Sequence, residues 1–213
     1  MAQPVTRFCL VRHGETDWNR EYRLQGHTDI PLNDTGLEQA EQLAQAFRPG
    51  QAFQALYVSD LTRTRQTAAP LQNKLGLPAH YTHALRERNM GALQGLTYAE
   101  AAEQIPDLYH RHQARDPDYD LDGGESLHRF QTRVLEGFAD IAARHPGETV
   151  LIVTHGGVLD IMYRAATAKA LRDKRDFPIP NAALNWLDYQ DGGWSLRRWA
   201  DESHLAGALD EIQ

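Results

Sequence analysis

The chain has a single cysteine, Cys9, and only three methionines among 213 residues. One thiol excludes an internal disulfide framework and any multi-thiolate zinc or iron–sulfur site. Long apolar runs are missing too. The apolar stretch at residues 8–11 is strand-sized, far short of the roughly 20 residues needed to span a bilayer. Positive charge is the minority sign: 22 Lys and Arg stand against 29 Asp and Glu, for a formal charge of −7. Non-specific nucleic-acid binding needs surplus cations to displace counterions, so no nucleic-acid partner is expected. A pocket's local field need not follow the net sign, and a small anion remains an eligible ligand. Met1-Ala2-Gln3-Pro4 shows no basic segment leading into an apolar one, so the expected location is cytoplasmic, with no membrane partner.

What is present alternates. Thr6–Arg12 reads as a buried strand, and residues 37–47 as a helix with apolar positions at Leu37, Ala40, Leu43, Ala44 and Phe47. Asn33-Asp34-Thr35-Gly36 opens that helix, with Thr35 and Glu38 at capping-box spacing. Ala55–Ser59 is a second strand, and Thr62–Leu75 a helix closed by Gly76-Leu77-Pro78. A weaker strand falls near Ala79–Thr82, a long helix at 126–145, and the clearest buried strand at Thr149–Thr154. Segments 183–189 and 194–199, around Gln190-Asp191-Gly192-Gly193, read as a hairpin. This rhythm implies an α/β fold: one domain over 1–213, a mostly parallel sheet with helices on both faces. Residues 85–124 break the rhythm and read as a loop and short-helix insertion packed over one sheet edge and over the active site. The acidic tail at 206–213 reads as mobile.

Ligands of open parallel sheets collect at the carboxyl ends of strands. Three unusual polar segments fall there: Arg12-His13-Gly14-Glu15-Thr16, residues 59–63, and Thr154-His155-Gly156-Gly157, with Glu87 in reach after the third strand. Two histidines, two arginines and helix N-termini suit a phosphate group. No Cys-x5-Arg loop and no Gly-x4-Gly-Lys-Ser/Thr loop occurs, which removes thiol phosphatases and P-loop enzymes. Phosphoryl transfer through His13 as nucleophile is what remains.

Arg12-His13-Gly14-Glu15-Thr16 resembles the Arg-His-Gly signature of the histidine phosphatase superfamily, the phosphoglycerate mutase-like family. The resemblance continues, in order, through Trp18-Asn19, Leu32-Asn33-Asp34-Thr35-Gly36, and Ser59-Asp60-Leu61-Thr62-Arg63-Thr64-Arg65-Gln66-Thr67-Ala68. It goes on through Leu85-Arg86-Glu87-Arg88, Gly91-Ala92-Leu93-Gln94-Gly95-Leu96, Gly123-Gly124-Glu125-Ser126 and Val153-Thr154-His155-Gly156-Gly157. It implies His13 as the phosphorylated nucleophile, with Arg12, Arg63 and His155 clamping the phosphoryl oxygens, aided by Asn19 and the Gly156 N–H. It further implies Glu87 as proton donor, and neither metal nor cofactor.

Plainer roles fit other residues. Arg65 reads as structural, Glu15 as a partner fixing the first loop, and the Gly123–Ser126 segment as the cap of the long helix. His80, His83, His110 and His112 read as surface histidines, and Cys9 as core. Trp18 suits either a substrate border or packing under the loop. Relatives of this kind are phosphatases or mutases. The mutases read Glu-Arg-His-Tyr-Gly where this chain has Glu87-Arg88-Asn89-Met90-Gly91, and carry a lysine just beyond Gly-Leu that is absent at Leu96-Thr97-Tyr98. Arg111 and Arg115 could replace part of the mutases' basic grip, but Asp116, Asp118, Asp120 and Asp122 crowd that stretch. The expected activity is therefore metal-independent hydrolysis of a small phosphorylated metabolite through a phosphohistidine; relatives are often dimers, and an exposed sheet edge or the C-terminal hairpin could supply a homodimer interface, but no local pattern demands one. The alternatives are a cofactor-dependent phosphoglycerate mutase, a metal hydrolase using His13, His155 and Glu87, and a non-catalytic phosphate binder.

Overall fold

A computed structural model describes residues 4–48 and 51–210. Among them, six strands form one sheet: β1 (Thr6–Arg12), β2 (Ala55–Ser59), β3 (Ala79–Thr82), β4 (Thr149–Thr154), β5 (Leu184–Gln190) and β6 (Gly193–Asp201). Their spatial order is β3-β2-β4-β1-β5-β6. The first four run parallel, while β5 pairs antiparallel with both β1 and β6. This is the expected α/β architecture.

Side-chain alternation decides the two cores. Phe8 and Leu10 of β1 face one side with Tyr57, Val150 and Ile152, whereas Cys9 and Val11 face the other with Leu56, Val58, Leu151 and Val153. A strand covered on both faces must be apolar at every position, which is why these strands read as continuous apolar runs. The first face is covered by α6 (Leu127–Arg144) and α7 (Gly156–Thr167), the second by α2 (Asp34–Ala46) and α3 (Thr62–Leu75). On α6, Phe130, Val134, Phe138 and Ile141 recur at helical spacing and are all buried. α3 stops where Gly76 adopts a left-handed conformation at φ 67°.

Three details differ from the sequence reading. First, α2 begins at Asp34, and its cap is the Asn33 side chain, which accepts from Gly36 N–H. Thr35 therefore lies inside the helix, and Gly36 meets the loop after β1, where a Cβ would fall 2.0 Å from Glu15 O. Second, the 85–124 insertion does not merely cover a sheet edge. Its α4 (Tyr98–Gln104) and α5 (Pro106–Gln113) gather Met90, Leu93, Ala101, Leu108 and Leu121 with Leu24 into a third small core. Third, the tail is pinned as far as Asp210. Asn181 N–H donates to Leu209 O, Gln39 Nε2 to Gly207 O, and Ile179 N–H to Asp210 Oδ1. Residues 1–3 and 211–213, which the leader and tail readings also covered, lie outside the described residues. No described helix is long and apolar enough to cross a membrane.

Candidate active site

The parallel register brings the polar segments together. Arg12 pairs with Thr154 and Val58 with Val153, so β1, β2 and β4 end side by side. Just beyond them opens a cavity of about 320 Å³ lined by Arg12, His13, Asn19, Arg63, Glu87 and Gly156. His155 lies directly behind, fully buried, its ring 5.3 Å from that of His13.

The loop carrying His13 is fixed from several sides. His13 N–H donates to Thr154 O, Asn181 Nδ2 donates to His13 O, and Gly14 N–H donates to Thr67 Oγ1. Gly14 must be glycine, because a Cβ would stand 2.5 Å from Gly36 O. Glu15 plays the expected fixing role: its N–H meets Gln39 Oε1, and its carboxylate accepts from Asn33 Nδ2. His13 is only 3% exposed, and its Nδ1 lies 2.7 Å from Gly14 O. A carbonyl only accepts, so Nδ1 carries the hydrogen and Nε2 keeps its lone pair. Burial, followed by the charges of Arg63 and Arg12, holds the His13 pKa well below 6.5. A neutral imidazole with a bare Nε2 in a cationic pocket is ready to attack an electrophile that arrives as an anion.

Arg63 is wholly buried near the start of α3. Its Nε donates to His155 Nδ1, Nη1 to Thr28 O and Nη2 to Gly26 O. Burial lowers its pKa to about 10, which leaves it charged at neutrality. A guanidinium has five N–H donors, so two remain for a ligand. Arg12 Nη1 donates to Ile179 O, and its side chain lies against Gly156. His155 differs from the expectation of a ready clamp. Its Nδ1 accepts from Arg63, so its hydrogen sits on Nε2, which donates to Ser59 Oγ. Burial and Arg63 keep it neutral.

Glu87 reaches the cavity from the insertion. Its Oε2 accepts from Gly157 N–H in the first turn of α7, and its Oε1 from Arg88 N–H. Gly157 leaves the space for it, since a Cβ there would lie 2.1 Å from Glu87 Oε1. Among the described residues, no three His, Cys, Asp or Glu side chains converge as a metal-holding group.

The sequence profile of the histidine phosphatase superfamily (branch 1) matches residues 8–202. The chain belongs to the histidine phosphatase superfamily. Phosphoglycerate mutase-like protein 4 of Arabidopsis thaliana is 38% identical over 199 residues, covering 92% of this chain and 85% of that one. Metal-independent phosphoserine phosphatase of Arabidopsis thaliana is 37% identical over 204 residues, 95% of this chain and 84% of its own length. Among solved structures, Bacillus stearothermophilus YhfR superposes with a TM-score of 0.86 at 32% identity, covering 93% of this chain and 98% of that one.

Within this histidine phosphatase, the cavity holds more cations than the motifs announce. Arg88, Arg115, Lys174 and Arg175 line it as well. Arg88 is 6% exposed, and its guanidinium donates to the carbonyls of Glu125 and Tyr119. Arg115 donates to Leu171 O and Asp160 Oδ2, and Arg175 faces Asp210 at 3.5 Å. His112 is no surface histidine. It lines the same cavity, its Nδ1 is buried without a hydrogen-bond partner, and burial together with Arg88 and Arg115 lowers its pKa to about 4. His80, His83 and His110 are exposed as expected. The visible signal for part of this set was Arg172, Lys174 and Arg175, clustered a few residues past α7.

The aspartates of 116–122 do not offset these cations. Asp118 pairs with His128, Asp122 accepts from Tyr119 Oη, Asp116 and Asp120 cap turns, and none lines the cavity. Arg111 stacks on Tyr119 instead of entering the site. Trp18 packs against Gly95, outside the cavity lining.

Proposed function

We propose that this histidine phosphatase hydrolyses a small phosphomonoester that carries a second anionic group. The observation that carries the hydrolytic reading is His13 Nε2, left bare by the Nδ1 bond to Gly14 O and facing a cavity walled by Arg12 and Arg63. Nε2 attacks phosphorus, the ester P–O bond breaks, and Glu87 delivers a proton to the departing oxygen. The phosphohistidine is then attacked by water, whose proton returns to Glu87 as the P–N bond breaks. Arg12 and Arg63 stabilise charge spread over the equatorial oxygens, the part a metal plays in other phosphoryl-transfer sites. The two guanidiniums also disfavour a cation held by His13, His155 and Glu87.

His155 joins the clamp once a proton occupies Nδ1. A phosphate dianion beside it favours that protonation, and Arg63 Nε–H is then released toward the phosphate. Asn19 and the Gly156 N–H complete the cradle.

The second anionic group follows from the far wall. Arg88, Arg115, Lys174 and Arg175 exceed what one phosphate needs, and among the described residues no carboxylate forms a close ion pair with the Arg88 guanidinium. The similarity to a metal-independent phosphoserine phosphatase fits, because a phosphoserine-type substrate has a carboxylate. A mutase reading keeps one supporting observation: the same basic wall would grip a phosphoglycerate carboxylate. Phosphate release and isomerisation followed together on O-phosphoserine, 3-phosphoglycerate with its bisphosphate primer, and 4-nitrophenyl phosphate separate the two. Release in chelator without isomerisation is expected, and isomerisation without release overturns the hydrolase.

A further inference from the structure

The catalytic-acid loop is held by one arginine that the proposed chemistry does not use. Arg133, on the second turn of α6, spends all five N–H donors on it. Nε and Nη2 form a bidentate pair with Glu125, both at 2.7 Å. Nη1 donates to the carbonyls of Ala84 and Arg86, each at 3.0 Å, and Nη2 also donates to Glu87 O at 3.0 Å. Glu125 extends the grip to the other side of Glu87. Its Oε2 accepts from Asn89 N–H, its own N–H donates to Asn89 O, and its carbonyl accepts from Arg88 Nε. His27 Nε2 adds a second donor on Glu87 O. The backbone on both sides of Glu87 is therefore fixed by one ion pair, and Glu125 does more than precede the Ser126 cap.

We infer that the Arg133–Glu125 pair positions Glu87 for proton transfer, with Arg133 and Glu125 acting as positioning residues that never touch substrate. The inference rests on Glu87 being the acid. A general acid works only within hydrogen-bond reach of the leaving oxygen, and an ångström of misplacement far from the reacting atoms costs about a hundredfold. Lysine cannot replace Arg133, because its three-donor ammonium cannot bridge a carboxylate and three carbonyls at once.

Leaving-group dependence separates positioning from stability. Departure of 4-nitrophenolate needs little protonation, whereas an alkoxide leaving group needs it strongly. The measurement is kcat/KM, which reports phosphoryl transfer to His13, for 4-nitrophenyl phosphate and for the best alkyl substrate among O-phosphoserine, glycerol 2-phosphate and 3-phosphoglycerate. The variants are Arg133→Ala, Arg133→Lys, Glu125→Gln and, as reference, Glu87→Gln, each with a thermal melt. The expected result is an alkyl-phosphate loss at least about tenfold greater than the 4-nitrophenyl phosphate loss in every folded variant. If Arg133→Ala does not fold, Arg133→Lys and Glu125→Gln decide. Equal losses on both substrates, while Glu87→Gln shows the split, overturn the positioning role. Equal losses in Glu87→Gln itself overturn the acid assignment instead.

Discussion

Replacing Gly157 by alanine adds a single methyl group to the α7 first turn, where the Glu87 carboxylate now lies. The new Cβ would stand 2.1 Å from Glu87 Oε1, 3.1 Å from its Cδ and 3.2 Å from Phe130 Cε1. The closest of these is the tip of a flexible side chain, so Glu87 swings away while the backbone stays. The fold loses the Gly157 N–H bond to Glu87 Oε2, about 0.5–1.5 kcal/mol. It regains up to ~1 kcal/mol, because alanine is the better helix former. The net change is at most about 1.5 kcal/mol, or a few degrees in Tm for a chain of this size. The loss in catalysis is larger. An evicted general acid costs roughly 10²–10⁴ in rate, about 3–5 kcal/mol of barrier, on alkyl phosphates. Steady-state kcat/KM on an alkyl phosphate and on 4-nitrophenyl phosphate, beside a thermal melt, reads both effects. A folded Gly157→Ala enzyme with wild-type kcat/KM on alkyl phosphates would refute the seat of Glu87 described here.

Other outcomes follow from the same geometry. Arg88→Ala and Arg115→Ala should raise KM about tenfold or more for substrates with a second anion and leave KM for 4-nitrophenyl phosphate nearly unchanged, since only the former reach the basic far wall. Stability should fall as pH drops from 6.5 toward 4. In that window the unfolded chain takes up a proton on His112 that the folded chain, with a pKa of about 4, refuses. His112 alone accounts for up to about 3 kcal/mol, all of it absent as a penalty above pH 6.5. Urea denaturation at several pH values reads the slope, and His112→Gln should flatten it. Asp210→Asn should lower the urea midpoint by the equivalent of about 1 kcal/mol, because it weakens the tie from the tail to Ile179 N–H and Arg175.

Much of this was legible in the chain. Strand limits at Thr6–Arg12, Ala55–Ser59 and Thr149–Thr154 could be read because double-sided burial leaves unbroken apolar runs. His13, Arg63 and His155 could be placed because each follows a strand end or opens the next helix, and parallel pairing then aligns those ends, whereas Glu87 lies in a loop past β3 and was reached through the motif resemblance. What escaped depends on distance in sequence. Nothing near residue 206 announces that Gln39 and Asn181 will pair with its neighbours. His112 looked like a surface histidine on a short polar helix, since its burial comes from the docking of the insertion against Arg88 and Arg115. The acidic run at 116–122 looked like a field over the site, but turn-capping and the His128 and Tyr119 contacts occupy those carboxylates. Linear charge density did not report where the side chains point.

We propose that His13 Nε2 takes the phosphoryl group without a metal. The most direct test is to mix enzyme with substrate in EDTA, quench within the turnover time under alkaline denaturing conditions that preserve phosphohistidine, and map the adduct by mass spectrometry. The expected result is one phosphoryl group on His13, undiminished by EDTA and absent from His13→Ala, which should also release no phosphate. Turnover in EDTA by His13→Ala, or a phosphoryl group on any other residue, would contradict it.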